Sequence, residues 1–383
     1  MKITGYAYPW DYVGDPGAAT RAGELGVDVV ALAATYHASR TVSPLHPSRR
    51  VTDVPTSNCY VPVREVAWRG RRLVPSSPTW LEDPDAFALA HRALEAQGLA
   101  IDAWIVLTHH DELGYANPDL AVRNAFGEVY PYALCPQSEE VREYCLTLVE
   151  EVLNAHRCRG VVLEACGPMG LDHGTVHDKR EFAHWTTTDE ELLSLCFCDA
   201  CRDGLVQHGI DVDDLAGKVR CAIGTSAESP EEALGSDVAH EVAKFRSKLS
   251  TELRHLIVER VRHLQPGATI TLHASANTWA TGSFPTSGDT ASLEDVTTAV
   301  ARCWDAPSAE QELRTLRERA PATSHLGAYL RMDRGWSDTA LNATKIGRYV
   351  EVGMDELHLY HLGLLSRKGL EATRHVIDIA REN

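Results

Sequence analysis

The residues best suited to chemistry lie between Arg159 and Arg202, RGVVLEACGPMGLDHGTVHDKREFAHWTTTDEELLSLCFCDACR. A short apolar run, Gly160-Val161-Val162-Leu163, ends on the carboxylate of Glu164. Parallel barrels present catalytic groups at the carboxyl ends of their strands, and a charge that closes an apolar strand is costly to keep there without use. Further on comes Cys196-Phe197-Cys198-Asp199-Ala200-Cys201. A C-x-C-x2-C cluster in a chain that opens without a secretory signal reads as a metal clamp more readily than as a disulfide frame. Cys59, Cys145, Cys158, Cys166, Cys221 and Cys303 read as core or surface thiols.

Other apolar runs end in the same manner. Their ends carry Trp10 and Asp11, Tyr36 and His37, His109, His110, Asp111 and Glu112, His273, Trp304 and Asp305, Arg331 and Asp333, and Tyr360 and His361. Brought to one mouth, these would be aromatic, imidazole and carboxylate groups with no phosphate cradle. Aromatic faces stack on sugar rings while carboxylates and imidazoles bind hydroxyls, so a small neutral carbohydrate is the expected ligand. Splitting a glycosidic bond takes two carboxyl groups, about 5–5.5 Å apart for retention and wider for inversion. With Glu164 as acid/base, the second carboxylate is open between Asp305, Asp333 and Asp111. Other pairings weigh less. His173 and His177 read as loop residues in a Gly- and Asp-rich surround, and Cys166 lacks any oxyanion frame nearby.

Positioning these groups requires a repeated strand–helix unit. Strands are expected at Ile3 to Tyr8, Val27 to Ala34, Ile101 to Thr108, Val161 to Glu164, Ala268 to His273, Val296 to Cys303, His325 to Leu330 and Glu356 to Leu359. Helical patterns lie between them, among them 83–97 with Asp83 as its cap, 138–154, and an amphipathic segment near 238–264. The expected fold is α/β, a (β/α)8 TIM barrel spanning 1–383 as one domain, with long excursions after strands two and four. Residues 39–84 form a Pro- and Arg-rich loop excursion, and 167–240 a cysteine-containing helical insertion. A doubly wound sheet would show a Gly-rich phosphate turn after its first strand, and Tyr8-Pro9-Trp10-Asp11 is nothing like one.

The formal net charge of −17 over 383 residues argues against nucleic acid and anionic membranes as partners. No apolar run approaches the roughly 18 residues of a membrane span. A cytoplasmic location is expected, and long helical insertions make a homo-oligomer conceivable.

The order Cys135-Pro136, a helix, a strand ending on Glu164, then Cys196-x-Cys198-x2-Cys201 resembles the catalytic domain of family 42 β-galactosidases. These are retaining barrel glycosidases, many with a structural zinc. The resemblance covers roughly Tyr132 to Leu205 and the barrel rhythm. It implies zinc at Cys135, Cys196, Cys198 and Cys201, acid/base catalysis by Glu164, and no cofactor for the catalytic step. A structural zinc is four-coordinate and closed, so it would steady the loop after strand four without touching substrate. Two departures stand out. Leu163 occupies the place of the family's Asn before the glutamate, and strand seven offers Asp333 where the family has its glutamate nucleophile. The resemblance favours Asp333 as second carboxylate, whereas barrel glycosidases that pair strands four and six favour Asp305. Two alternatives remain beside a glycosidase: a metal-dependent sugar isomerase or epimerase using Glu164, His273 and Asp305 as ligands, and a non-catalytic carbohydrate-binding barrel.

Overall fold

A computed structural model describes residues 1–171, 179–288, 293–304, 306–333, 336 and 339–383. Eight parallel strands close into a barrel: Lys2–Ala7, Val29–Ala33, Ala100–Val106, Gly160–Glu164, Thr269–His273, Thr298–Arg302, His325–Arg331 and Glu356–Tyr360. Each pairs with its neighbours in sequence, and strand one closes on strand eight with Lys2 opposite Glu356 and Gly5 opposite Leu359. The expected (β/α)8 class is therefore the observed one. Strands such as Val29–Ala33 are buried along their whole length, as apolar runs covered on both faces must be. Strand four starts on Gly160 because strand five comes too close for anything larger. A Cβ there would sit 2.2 Å from the Thr269 carbonyl oxygen.

Helices Ala18–Leu25, Ala86–Glu95, Glu139–Ala155, Ala306–Arg319, Thr339–Glu351 and Arg367–Glu382 follow strands one, two, three, six, seven and eight. The cap of the second of these is Asp85, which accepts from the Ala88 N–H at 3.0 Å; Asp83 instead accepts from Asp85 one turn earlier. After strand four come short helices, among them Thr187–Leu193, Asp199–Gln207 and Val212–Ala222. They lead into the 29-residue helix Ser236–Leu264. Within 39–84 the chain forms an antiparallel hairpin, Ser39–Val42 with Val51–Val54.

Two connections depart from the expected rhythm. After strand three a second hairpin, Ala121–Arg123 with Val129–Leu134, stands where a loop is expected. Between strands five and six the described residues contain no α-helix. That segment, SANTWATGSFPTSG, is built of turn-forming residues, and it folds back so that Ser275 bridges Thr286. Among the described residues no helix is long and apolar enough to cross a membrane.

Strand alternation sends every second side chain into the barrel. Register sets Asp102, Trp104 and Val106 beside Gly160, Val162 and Glu164. Tyr6 occupies the middle, edge-on to Trp104 (5.0 Å between ring centres) and to Tyr329 (4.8 Å). At the amino ends of the strands the buried acids are paired: Lys2 Nζ lies 2.6 Å from Glu356, and Arg159 Nε donates to Asp102 at 2.9 Å. The barrel interior is thus aromatic and polar, where aliphatic layers are the rule.

Candidate active site

Glu164 ends strand four with its side chain inside the barrel mouth and only 5% exposed. The Trp104 indole N–H donates to its Oε2 at 2.8 Å, the Ser283 side chain faces the carboxyl, and His273 Nδ1 lies 3.6 Å from Oε2. Burial pushes the Glu164 carboxyl up to about 7, against the lowering pull of Trp104 and Ser283. Burial, reinforced by His358, holds His273 well below the usual histidine range, so its ring is neutral. A carboxyl that keeps its proton close to neutrality is suited to protonate a leaving group.

Around this centre lies a shell of rings. Tyr8 stacks on Trp10 at 4.2 Å and on His361 at 3.9 Å, and its hydroxyl meets that of Tyr360 at 2.7 Å. Tyr36 also reaches Tyr360, at 3.3 Å. Of the residues expected at the mouth, His273 and Tyr360 join the Glu164 neighbourhood, and Trp10 and His361 pack into the buried ring stack. Asp11 is buried below that stack, accepting from the Tyr8 N–H at 2.9 Å, and burial pushes it up to about 7. His37 and His109 stack on each other at 4.2 Å. His110 caps the next helix through its Nδ1, and Asp111 accepts from the backbone and hydroxyl of Ser57. Arg331 donates to Asp333 at 2.9 Å and lies over the Trp304 ring, 5.3 Å from its centre; Trp304 and Asp333 are both partly open to solvent. Asp305, His173 and His177 lie outside the described residues.

The groups that touch the Glu164 carboxyl are Trp104, Ser283 and His273; no second acid is among them in the described residues. Beside it, Phe284 lies flat on the His273 ring (4.3 Å, 3° between planes) and also lines an open cleft of about 260 Å³. That cleft is walled by Trp279, Trp304, Arg302 and the acids Glu190, Glu191 and Glu312. Glu191 accepts from Asn277 at 2.7 Å and is raised by burial, while Glu312 accepts from Ser275 and the Ala276 N–H. Sequence reasoning missed these acids, and also Trp104, Ser283, Phe284 and Tyr329. Trp104 and Tyr329 sit inside strands, where counting only the last residue overlooks them. Ser283 and Phe284 come from the turn-rich connection after strand five.

Three known proteins of similar fold can now be set beside this geometry. No protein-family model matches the sequence, and no curated protein matches it. The glycoside hydrolase domain of PgaB (BpsB) from Bordetella bronchiseptica superposes with a TM-score of 0.59 at 14% identity, covering 98% of both chains. The catalytic domain of β-amylase from Paenibacillus polymyxa gives 0.58 at 12%, covering 100% of this chain and 98% of its own. The β-galactosidase from the psychrophilic Marinomonas ef1 gives 0.58 at 12%, with this chain spanning 59% of its length. All three are glycoside hydrolase barrels. At such identities the likeness is one of fold.

The four cysteines of the expected clamp do meet. Sγ of Cys135 lies 3.3 Å from Cys201 and 3.8 Å from Cys196, and all four sulfurs fall within 4.8 Å of one another. A tetrahedral ion with metal–sulfur bonds of about 2.3 Å would hold sulfurs roughly 3.8 Å apart, so this donor set could hold a metal ion. The other three thiols press the Cys198 thiol down toward thiolate, and it sits at the start of helix Asp199–Gln207, where a negative charge is favoured. The cluster joins the hairpin after strand three to the insertion after strand four, helped by Phe197 N–H donating to the Arg123 carbonyl at 2.6 Å.

Proposed function

We propose that this protein is a barrel glycoside hydrolase of the kind that family 42 β-galactosidases represent, acting on a small saccharide with Glu164 as general acid/base. The observation that carries the reading is the environment of Glu164: a carboxyl inside the barrel mouth, raised to about 7, next to an aromatic cleft. A protonated carboxyl donates to the departing glycosidic oxygen, and the resulting carboxylate accepts a proton from the incoming water. Trp104 and Ser283 would steady the carboxylate formed in the first half of that cycle. Trp279, Trp304 and Phe284 offer ring faces for a sugar, and Glu191, Asn277 and Glu312 offer hydroxyl partners. The second carboxylate is assigned to Asp305 or Asp333, as nucleophile or as base.

Zinc is the proposed occupant of the Cys135, Cys196, Cys198 and Cys201 cluster, with a structural role. Turnover of nitrophenyl β-galactosides and a panel of related glycosides tests the reading. Glu164→Gln should lower turnover by at least about a thousandfold while sugar binding persists, in keeping with loss of a general acid. Wild-type turnover in that variant ends the proposal. Asn in place of Asp305 or Asp333 then identifies the partner acid, by which of the two removes activity.

A further inference from the structure

A line of buried polar groups runs through the barrel from Glu164 to its opposite end. His273 Nε2 lies 2.8 Å from the Tyr6 hydroxyl, and that hydroxyl lies 3.2 Å from His358 Nδ1. His358 Nε2 lies 3.4 Å from Glu356 Oε2, and Glu356 is held by Lys2 at 2.6 Å and by the Thr298 hydroxyl at 3.2 Å. Tyr6, His273 and His358 are fully buried, whereas Lys2 at the far end is partly open to solvent.

The direction of each hydrogen bond in this line follows from its lower end. Glu356, facing an ammonium and a hydroxyl donor, is a carboxylate and can only accept. His358 must therefore present N–H at Nε2, which leaves Nδ1 as an acceptor for the Tyr6 O–H. With its proton so directed, the Tyr6 oxygen accepts from His273 Nε2–H. His273 is neutral, so Nδ1 carries a lone pair, and Glu164 Oε2 lies 3.6 Å from it. Among the described residues Nδ1 finds no hydrogen-bond partner. A lone pair facing a carboxylate oxygen is repulsive, and a proton on Glu164 removes that repulsion.

We propose that Tyr6, His358, Glu356 and Lys2 are positioning residues that lock His273 in the tautomer with a bare Nδ1, so that Glu164 rests in its protonated form. The proposal deepens the reading of Glu164 as general acid and rests on it for its catalytic meaning. The titratable groups facing Glu164 are His273 and the phenols of Tyr6, Tyr36, Tyr329 and Tyr360. Those facing the lower end are Lys2 and Asp102, the latter paired with Arg159. None of these other groups offers His273 Nδ1 a proton.

The test is infrared difference spectroscopy of the intact, substrate-free protein, following the C=O stretch of a protonated carboxyl across pH. The band belonging to Glu164 is the one absent from Glu164→Gln. In Tyr6→Phe, His273 is free to carry its proton on Nδ1, where it favours a charged Glu164. The titration midpoint of the band should then fall by about one pH unit or more, a roughly tenfold loss of proton affinity. Lys2→Met, at the open end of the line, should move it in the same direction by less, and it carries the test alone if Tyr6→Phe does not fold. A midpoint unchanged in whichever variant folds overturns the proposal. A Glu164→Gln protein that still turns over glycosides removes the catalytic role but leaves this titration as an independent readout of the line.

Discussion

A single indole decides much of the behaviour of Glu164. Its N–H bond to Oε2 favours the charged carboxylate and so opposes the effect of burial. The general acid proposed above would work while protonated, so activity should decline as pH climbs through about 7. Trp104→Phe removes a donor to the charged form, which raises the proton affinity of Glu164. The alkaline limb of the kcat/KM profile should therefore move to higher pH, and a limb that stays put or moves down refutes this account. The place of Glu164 was legible in the sequence because it closes the apolar run Gly160-Val161-Val162-Leu163, which forms strand four. Its partners were not, because Trp104 lies among apolar neighbours in a strand and reads as core. His110 and Asp111 also hold structure: His110 caps a helix and Asp111 ties Ser57, bonds that strand-end position alone does not reveal.

At the scale of elements, the cysteine clamp and the cleft make separate demands. The clamp joins two excursions, so metal loss should loosen both. Cys198→Ser, or prolonged chelation, should lower the thermal midpoint by roughly 5 °C or more, since structural metal binding is folding free energy. Elemental analysis giving no metal in the purified protein, or melting indifferent to both treatments, removes the clamp from the stability argument. In the cleft, Trp304 is the exposed ring beneath two guanidinium groups, Arg302 and Arg331. Trp304→Ala should weaken saccharide binding about tenfold, on the order of one aromatic contact, with little change in melting. Titration calorimetry with a bound oligosaccharide reads both affinity and stoichiometry. The cysteine spacing was legible since C-x-C-x2-C leaves few alternatives. The cleft was not, because its walls come from Glu190 and Glu191 on one helix, Glu312 on another, and a connection whose described residues form no α-helix.

For the molecule as a whole, the eight apolar runs and their order specified the barrel, because buried parallel strands need both faces covered. Less visible was what fills it, since Tyr6, Trp104, Tyr329 and His358 occupy positions where aliphatic residues would give the same strand pattern. The thiols offer a check on the packing. All described cysteines are unpaired and buried apart from Cys221, which is exposed, and Cys196 within the clamp, which is half-buried. Native protein should show one fast-reacting thiol with Ellman's reagent, absent in Cys221→Ser, with unfolding temperature indifferent to reductant. Several fast thiols would mean that the packing of the remaining nine is looser than described.

Strand one meets strand eight through residues more than three hundred positions apart, with Lys2 opposite Glu356. Such a seam closes late in folding, because the loop entropy of so long a chain must be overcome first. Until the ring is shut, the ammonium that begins the line of hydrogen bonds has no acid to hold. A half-assembled molecule would therefore carry Glu164 with an unset proton, and the proposed chemistry would switch on only with the final stitch of the backbone.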